Sequence, residues 1–285
     1  MRIGFIGVGL MGEGIVVNLL KAKHELTVLS HRNRAGIESV LGMGAREAKS
    51  LADLAAGREL IMLCVSTAKV VGELVTSLKP YFKPGQIVID CTTSAPELTR
   101  RLAGDLSRHG VALVDAPMTG GPEQVRAGEA GALVGAEDAV FATVEPVIRS
   151  YCSKVAHFGP AGSGHEAKLI SNYLACGMVS LIADSYRIAR QANVDWRKLY
   201  EVQLQGSTNS GALKKMIAPA LDGNFDGYRF SVANAAKDME YYCELAQRLG
   251  RLTPLAEGAL DFFKTAMAQG MAEKHVSRLL EDHPS

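Results

Sequence analysis

The chain has 285 residues, of which 47% are hydrophobic and 21% charged, a composition typical of a soluble globular protein with one large or two ordinary domains. A net charge of +1, the absence of roughly 18 consecutive apolar residues and the absence of a signal peptide argue against a nucleic-acid partner, a membrane span and secretion. The five cysteines are scattered without a C-x-x-C pair, so we expect free thiols and a cytoplasmic location.

The N-terminus combines a strand, a glycine turn and a helix. The apolar run Arg2–Ile6 is followed by Gly7, Gly9 and Gly12 in the spacing G-x-G-x-x-G, and apolar residues at helical spacing continue from Glu13 to Leu20. In dinucleotide-binding domains the three glycines allow a tight turn, close approach of the pyrophosphate and packing of helix on strand. This order favours a dinucleotide site over a purely structural glycine turn.

Up to about residue 160, short apolar strands alternate with helical segments. Near-continuous apolar strands between helices indicate a Rossmann-type, doubly wound parallel sheet covered on both faces. The predicted strands are Arg2–Ile6, Leu26–Leu29, Leu60–Val65, Ile87–Asp90, Ala112–Asp115 and Gly131–Val134, with helices such as Val70–Leu78 and Pro96–Arg108 between them.

After the turn-rich segment Phe158–Gly164 the pattern becomes helical throughout. Residues His165–Asn193 contain no proline and predict a helix about 40 Å long, and Ser163 with Glu166 fits a capping box at its start. Further helices are predicted at Asp195–Gln205, around Ala212–Ala220, at Ser231–Leu249 and at Thr253–Gln269. We therefore expect a cofactor domain at residues 1–160 and an all-helical domain at 161–285, with the active site in the cleft between them.

The end of the second strand bears on the choice between the two nicotinamide cofactors. An acidic residue there binds the ribose of NAD, whereas basic residues accept the extra phosphate of NADP. Ser30 to Arg34 contains no carboxylate; Ser30 can donate a hydrogen bond, and Arg32 or Arg34 can hold a phosphate. The segment favours NADP(H), with NAD(H) as the alternative cofactor and a solvated basic turn as the structural alternative.

A second glycine-rich turn follows the strand that ends at Asp115. Thr119, Gly120 and Gly121 offer a hydroxyl and uncrowded backbone N–H groups, which suit an anion such as a substrate carboxylate. By itself this segment is more typical of a plain glycine turn than of an anion site.

At the start of the long helix, Lys168 and Asn172 are four residues apart and share one helical face. A partly buried lysine has a lowered pKa and can exchange a proton near neutral pH. Asn172 could hold the ammonium group or a substrate oxygen. The alternative is an exposed lysine on an amphipathic helix, and the spacing alone does not decide between the two.

At these residues the chain resembles the β-hydroxyacid dehydrogenase family, which includes 3-hydroxyisobutyrate dehydrogenase. The resemblance extends over nearly the whole length. It rests on G-F-I-G-x-G-x-M-G at the N-terminus, D-A-P-x-[ST]-G-G from Asp115, G-x-G-x-x-x-K-x-x-x-N from Gly162, and Lys237-Asp238. The segment Asp90–Pro96 is also similar to the family's D-x-S-T-x-x-P.

The resemblance implies an NAD(P)-dependent oxidoreductase that acts on a short 3-hydroxy acid or semialdehyde. Lys168 would be the catalytic acid/base, Thr119, Gly120 and Gly121 would bind the substrate carboxylate with Asn172 beside them, and Lys237 would close over cofactor and substrate. The implied cofactor-binding residues are Gly7, Val8, Gly9, Leu10, Met11, Gly12, Ser30, His31, Arg32, Val65, Ser66, Thr93 and Lys237. The family also implies a homodimer or homotetramer assembled through the helical domains.

The chain departs from the family pattern at two positions. Thr119 replaces the usual serine, and Arg32 is displaced by one position from the arginine of NADP-using members. Three alternatives stay open: an imine reductase on the same fold, against which Lys168 argues; a non-catalytic cofactor-binding module; and a large 6-phosphogluconate dehydrogenase, for whose extended helical domain the chain is too short. The histidines show no metal-ligand spacing, so no metal site is expected. Asp238 either orients Lys237 or simply solvates its helix.

Overall fold

The computed structural model describes residues 1–30 and 34–281. Its contacts divide the chain into two units, Met1–Lys168 and Leu169–Ser285. This division falls inside the long helix, a little after the predicted domain boundary at residue 160.

Nine strands of the described chain form one sheet in the order β3-β2-β1-β4-β5-β6-β8-β7, with β9 paired to β8. The strands are β1 (Arg2–Ile6), β2 (Glu25–Leu29), β3 (Arg46–Glu47), β4 (Leu60–Leu63), β5 (Ile87–Asp90), β6 (Ala112–Asp115), β7 (Met118–Thr119), β8 (Ala130–Gly135) and β9 (Cys152–Gly159). Pairs among β1 to β6 are parallel, whereas β8 runs antiparallel to β6 and β7 and parallel to β9. The doubly wound parallel sheet is therefore confirmed, with a mixed end that the sequence did not predict.

The central strands are apolar at every position because both faces of the sheet are covered. In β4, Leu60 and Met62 pack into one hydrophobic cluster, and Ile61 and Leu63 pack into another. Successive strand residues point to opposite faces, so a buried parallel strand needs apolar residues on both. The covering helices are α1 (Leu10–Lys21), α2 (Ala35–Leu41), α3 (Leu51–Ala55), α4 (Ala68–Leu78), α5 (Pro96–Ser107), α6 (Pro122–Ala127) and α7 (Asp138–Ile148).

Three strands, β3, β7 and β9, were not predicted from the sequence. β3 and β7 are only two residues long, too short for a periodic signal. β9 is long enough but mostly exposed or half-buried, and it lacks the continuous apolar run of the central strands.

The second unit is helical, as expected. It contains most of α8 (Ser163–Gln191), followed by α9 (Trp196–Gln203), α10 (Gly211–Ala220), α11 (Val232–Arg248), α12 (Pro254–Ala266) and the short turns Met267–Met271 and Val276–Leu280. Three of these helices start at a residue that caps the first turn: Asp195, Ser210 and Ser231 each accept a backbone N–H bond. Its own core includes Tyr186, Met216 and Phe263. No described helix has the length and hydropathy needed to cross a membrane.

Candidate active site

The three N-terminal glycines meet different surroundings. A Cβ atom on Gly7 would lie 2.1 Å from the carbonyl oxygen of Cys64, and one on Gly12 would lie 1.9 Å from the carbonyl oxygen of Gly7. Gly7 also has a φ of 103°, which disfavours any other residue. A Cβ atom on Gly9 would meet nothing within 4 Å. The protein's own packing thus requires Gly7 and Gly12, whereas Gly9 faces open space.

That open space lies at the start of α1. Gly9 is the N-cap of this helix and supplies no capping side chain, and Leu10 is 83% exposed. The N–H groups of an uncapped first turn carry partial positive charge and bind phosphate groups. These residues therefore fit the pyrophosphate of a dinucleotide.

Three residues after β2 are expected to contact the ribose of NAD or the extra phosphate of NADP. Of these, Ser30 is described, whereas His31 and Arg32 lie outside the described residues. Arg34 forms a forked hydrogen bond with Glu47, with N–O distances of 3.1 and 3.2 Å, and an ion pair with Glu38 at 3.5 Å. The guanidinium of Arg34 is thus engaged by carboxylates of its own unit.

Two loops that follow neighbouring strands are joined through Thr92. Its hydroxyl accepts a hydrogen bond from the N–H of Val65, at 3.0 Å, which ties the Val65-Ser66 loop after β4 to the loop after β5. Its own N–H donates to Oδ1 of Asp90 at 2.9 Å. Burial raises the pKa of Asp90 because desolvation disfavours the carboxylate. Thr93, the residue that resembles the family's nicotinamide contact, follows directly and is half-buried.

Asp115, at the end of β6, holds the start of α8. Its two carboxylate oxygens accept hydrogen bonds from the N–H groups of Gly162 and His165, both at 2.7 Å. The predicted capping box is wrong: the Ser163 hydroxyl donates to the carbonyl oxygen of Pro160, and the carboxylate of Glu166 pairs with a side chain of α5. A buried carboxylate already stands at this helix N-terminus, where the helix dipole favours negative charge.

His165 is fully buried and both of its ring nitrogens have partners. Nε2 lies 2.7 Å from the carbonyl oxygen of Thr92, and Nδ1 lies 2.8 Å from Oγ1 of Thr99. Asp90 and Asp115 flank the ring at 3.9 and 3.7 Å. Sequence reasoning considered His165 only as a metal ligand and missed this arrangement, which no local spacing reveals.

The second glycine turn already uses one of its N–H groups. Gly120 has a φ of 93°, and the N–H of Gly121 donates to Oε1 of Gln124 at 2.9 Å. Thr119 pairs with Gly131 across β7 and β8, and a Cβ atom on Gly131 would lie 2.6 Å from the threonine hydroxyl. The glycine opposite therefore makes room for the hydroxyl of the threonine that replaces the family's serine.

In α8, Lys168 is half-buried and Asn172 follows one turn later. Nδ2 of Asn172 donates to Oδ2 of Asp238 at 2.5 Å, and Oδ1 of Asp238 lies 3.1 Å from Nζ of Lys237. Asp238 is only 2% exposed, so it does not serve to solvate its helix. It orients Asn172 and pairs with Lys237, a role that the sequence left undecided.

Among the described residues, no group of three or more histidine, cysteine, aspartate or glutamate side chains is arranged to hold a metal ion.

Comparison with known proteins identifies two matching family models. The NAD binding domain of 6-phosphogluconate dehydrogenase matches residues 2–159, and the model for NAD-binding of NADP-dependent 3-hydroxyisobutyrate dehydrogenase matches residues 162–281. Together they span both units.

Individual relatives and solved structures match over nearly the full length. A 3-hydroxyisobutyrate dehydrogenase from Pseudomonas aeruginosa is 30% identical, covering 95% of this chain and 93% of the relative. An NAD-dependent L-serine dehydrogenase from the same species is 27% identical, covering 97% and 95%. The crystal structure of a 3-hydroxyisobutyrate dehydrogenase from Salmonella typhimurium has the same fold, with a TM-score of 0.88 at 24% identity over 98% and 99% of the two chains.

The glycine turn, the two matching models and the full-length relative agree with one another. The chain belongs to the β-hydroxyacid dehydrogenase family of NAD(P)-dependent oxidoreductases.

Proposed function

We propose that this protein catalyses reversible hydride transfer between NADP(H) and a short 3-hydroxy acid, whose oxidised form is a semialdehyde. The observation that carries the proposal is the half-buried Lys168 on α8, one turn before an Asn172 that is held by Asp238. The relatives named for 3-hydroxyisobutyrate and L-serine support this substrate class. Both compounds carry a carboxylate and a primary hydroxyl on the third carbon and differ in the group on the second.

Lys168 is proposed to move the proton. A bound nicotinamide supplies the hydride in reduction and accepts it in oxidation. In reduction the ammonium form of Lys168 donates a proton to the carbonyl oxygen of the semialdehyde, and in oxidation its neutral amine removes the hydroxyl proton.

Asn172 is proposed to stand beside the reacting oxygen. A carboxylate can only accept hydrogen bonds, so the amide nitrogen of Asn172 must face Asp238. Its Oδ1 is then the atom that can accept a hydrogen bond from the Lys168 ammonium or from the substrate hydroxyl. Asp238 thereby fixes the orientation of the Asn172 amide, so that its oxygen is the atom available to the Lys168 ammonium or the substrate hydroxyl.

The turn at Thr119 is proposed to bind the substrate carboxylate, with Lys237 adding positive charge. The Thr119 hydroxyl and the N–H of Gly120 are the donors we favour, because the N–H of Gly121 already donates to Gln124. Gly121 contributes to carboxylate binding only if Gln124 releases it. A fixed carboxylate positions the third carbon for reaction, which is a large part of catalytic advantage.

The preference for NADP(H) rests on the segment after β2. It contains no carboxylate that would bind the ribose of NAD, and Arg34 is paired with Glu47. We therefore propose that Ser30, His31 and Arg32 meet the phosphate. Arg32→Ala should lower the ratio of kcat/KM for NADPH over NADH about 10-fold, whereas the matched variant Arg34→Ala should leave it unchanged. An unchanged ratio in Arg32→Ala contradicts the assignment.

The rest of the cofactor is assigned by the same resemblance. We propose that the first turn of α1 holds the pyrophosphate and that the loops after β4 and β5 meet the nicotinamide half. The residues concerned are Gly7, Val8, Gly9, Leu10, Met11 and Gly12 for the former, and Val65, Ser66 and Thr93, with Lys237, for the latter.

Initial rates with both cofactors against short semialdehydes, 3-hydroxy acids and a cyclic imine test the proposal. We expect turnover of the aldehyde and hydroxy acids, and a loss of several orders of magnitude in kcat for Lys168→Ala with cofactor affinity nearly unchanged. Lys69→Ala, which removes a lysine of the same unit whose side chain is 85% exposed, is the control. Near-normal turnover by Lys168→Ala would overturn the assignment. Turnover of the imine alone would indicate an imine reductase, and no turnover a binding module.

We also propose a homo-oligomer assembled through the second unit. Ile170, Leu174, Leu181 and Ile188 are more than half exposed and lie along one face of α8. Four large apolar side chains exposed along one helix face support the proposal that this face is an interface. Light scattering should show a dimer or tetramer that Leu181→Glu dissociates, with Met43→Glu as a control in the other unit. A monomeric wild-type protein contradicts the proposal.

A further inference from the structure

We propose that His165 is a positioning residue that locks the nicotinamide-facing loops to the helix carrying Lys168. This inference rests on the proposed function, because it takes Thr93 and Lys168 as members of the reacting site. His165 lies one turn before Lys168 in α8, and it touches the loop after β5 directly.

The connection is made through Thr92, whose three polar groups all have partners. Its N–H is bound by Asp90, its hydroxyl by the N–H of Val65, and its carbonyl oxygen by Nε2 of His165. The carbonyl of Thr92 belongs to the peptide that it shares with Thr93. A rotation of this peptide therefore moves Thr93, and His165 is the group that resists the rotation.

The ring of His165 is held from both sides. Because the Thr92 carbonyl can only accept, Nε2 must carry a proton, and this donor role is fixed. On the other side Nδ1 bonds Oγ1 of Thr99 on α5, at 2.8 Å. The backbone N–H of the same residue donates to Asp115. His165 thus links the ends of β5 and β6 and the start of α5 to the first turn of α8.

Removal of the ring would leave the buried Thr92 carbonyl without the donor that His165 supplies, and the Thr99 hydroxyl would keep only its hydrogen bond to the carbonyl oxygen of Ala95. A buried polar group without a hydrogen bond is costly, so the loop would shift to satisfy it. Displacement of reacting groups by about 1 Å can cost about 100-fold in rate. The consequence falls on the nicotinamide end of the cofactor and not on the pyrophosphate end at Gly9.

The test compares His165→Ala with His165→Gln, whose amide can donate to the Thr92 carbonyl and accept from the Thr99 hydroxyl. His157→Ala is the matched control, since Nε2 of this histidine also lies 2.7 Å from a backbone carbonyl, that of Ala136, away from Thr92. Calorimetry measures the Kd of NADPH and of its phosphorylated ADP-ribose part, which keeps the 2′-phosphate and lacks only the nicotinamide. Steady-state kinetics give kcat and KM for the folded fraction.

For His165→Ala we expect about 10- to 100-fold lower kcat and a whole-cofactor Kd that is raised about 10-fold, with the Kd of the phosphorylated ADP-ribose part within about twofold of wild type. His165→Gln should recover kcat to within about threefold, and His157→Ala should change none of these values.

If His165 were purely structural, His165→Ala would lower the melting temperature and leave the kcat and the cofactor affinity of the folded protein unchanged. That result would overturn the inference. Equal weakening of both ligands would also overturn it. If His165→Ala does not fold, Thr99→Val, which removes the hydroxyl that holds Nδ1 of His165, is measured instead, and an undiminished kcat with an unchanged whole-cofactor Kd in that variant would overturn the inference. A wild-type protein that binds cofactor but turns over no aldehyde acid would instead refute the proposed function.

Discussion

Alanine at Gly7 and at Gly9 should separate the fold from cofactor binding. A Cβ atom on Gly7 would lie 2.1 Å from a backbone oxygen, so the two strand ends must move apart by more than about 1 Å. This overpacking, together with strain at a φ of 103°, should cost about 3 kcal/mol of unfolding free energy. For a unit of this size that lowers the melting temperature by about 6–12 °C.

Gly9→Ala should behave differently because its Cβ atom meets no protein atom within 4 Å. Alanine is a poorer N-cap than glycine, so we expect a stability loss of only about 0.5–1 kcal/mol. The new methyl group would occupy the space where a pyrophosphate approaches the first turn of α1. Cofactor affinity should therefore fall at least about 10-fold, which corresponds to about 1.4 kcal/mol.

The measurements are thermal unfolding of both variants without ligand and calorimetric titration of the folded proteins with NADP(H) and NAD(H). Normal cofactor affinity in Gly9→Ala would refute the placement of the pyrophosphate at this turn. Equal destabilisation by the two variants would refute the assignment of Gly7 to packing and Gly9 to ligand.

Two further predictions concern carboxylates. Asp115→Ala leaves the buried N–H groups of Gly162 and His165 without an acceptor and should cost about 3 kcal/mol in urea unfolding; a cost below about 1 kcal/mol would contradict the capping role. The hydrogen bond from Arg46 lowers the pKa of Asp53 to about 2. Because this folded-state pKa is depressed, the pair stabilises the protein above the unfolded pKa of about 3.9 and loses that effect as the pH falls towards 2. Arg46→Met should raise the pKa of Asp53 in an NMR titration, and an unchanged pKa would argue against the pairing.

Features that depend on consecutive residues could be predicted well. The central strands, the helices of the second unit and the glycine turn were located from apolar spacing and glycine positions, since side-chain periodicity and backbone freedom are local properties. Features that depend on a hydrogen-bonding partner from a distant part of the chain could not be predicted. Ser163 and Glu166 have capping-box spacing, but a carboxylate from β6 meets the helix start instead.

The same limit applied to the polar residues of the site. Asp238 was ambiguous in the sequence because its role depends on Asn172, far away along the chain, and on its own burial. From the sequence, Arg34 was a candidate to bind the phosphate of NADP. In the structure its guanidinium is hydrogen-bonded to Glu47 on the neighbouring strand.

From the sequence alone followed the family, the alternation of six of the strands with helices, the helices of the second unit, and the residues that could carry the chemistry. The folded structure was needed to show that Gly9 is open while Gly7 and Gly12 are closed, and that Thr92 and Asp115 both bond His165. The physical reason is that parallel strands bring their carboxyl ends to one edge of the sheet. Residues distant in the chain then share a buried space in which each hydrogen bond must be satisfied.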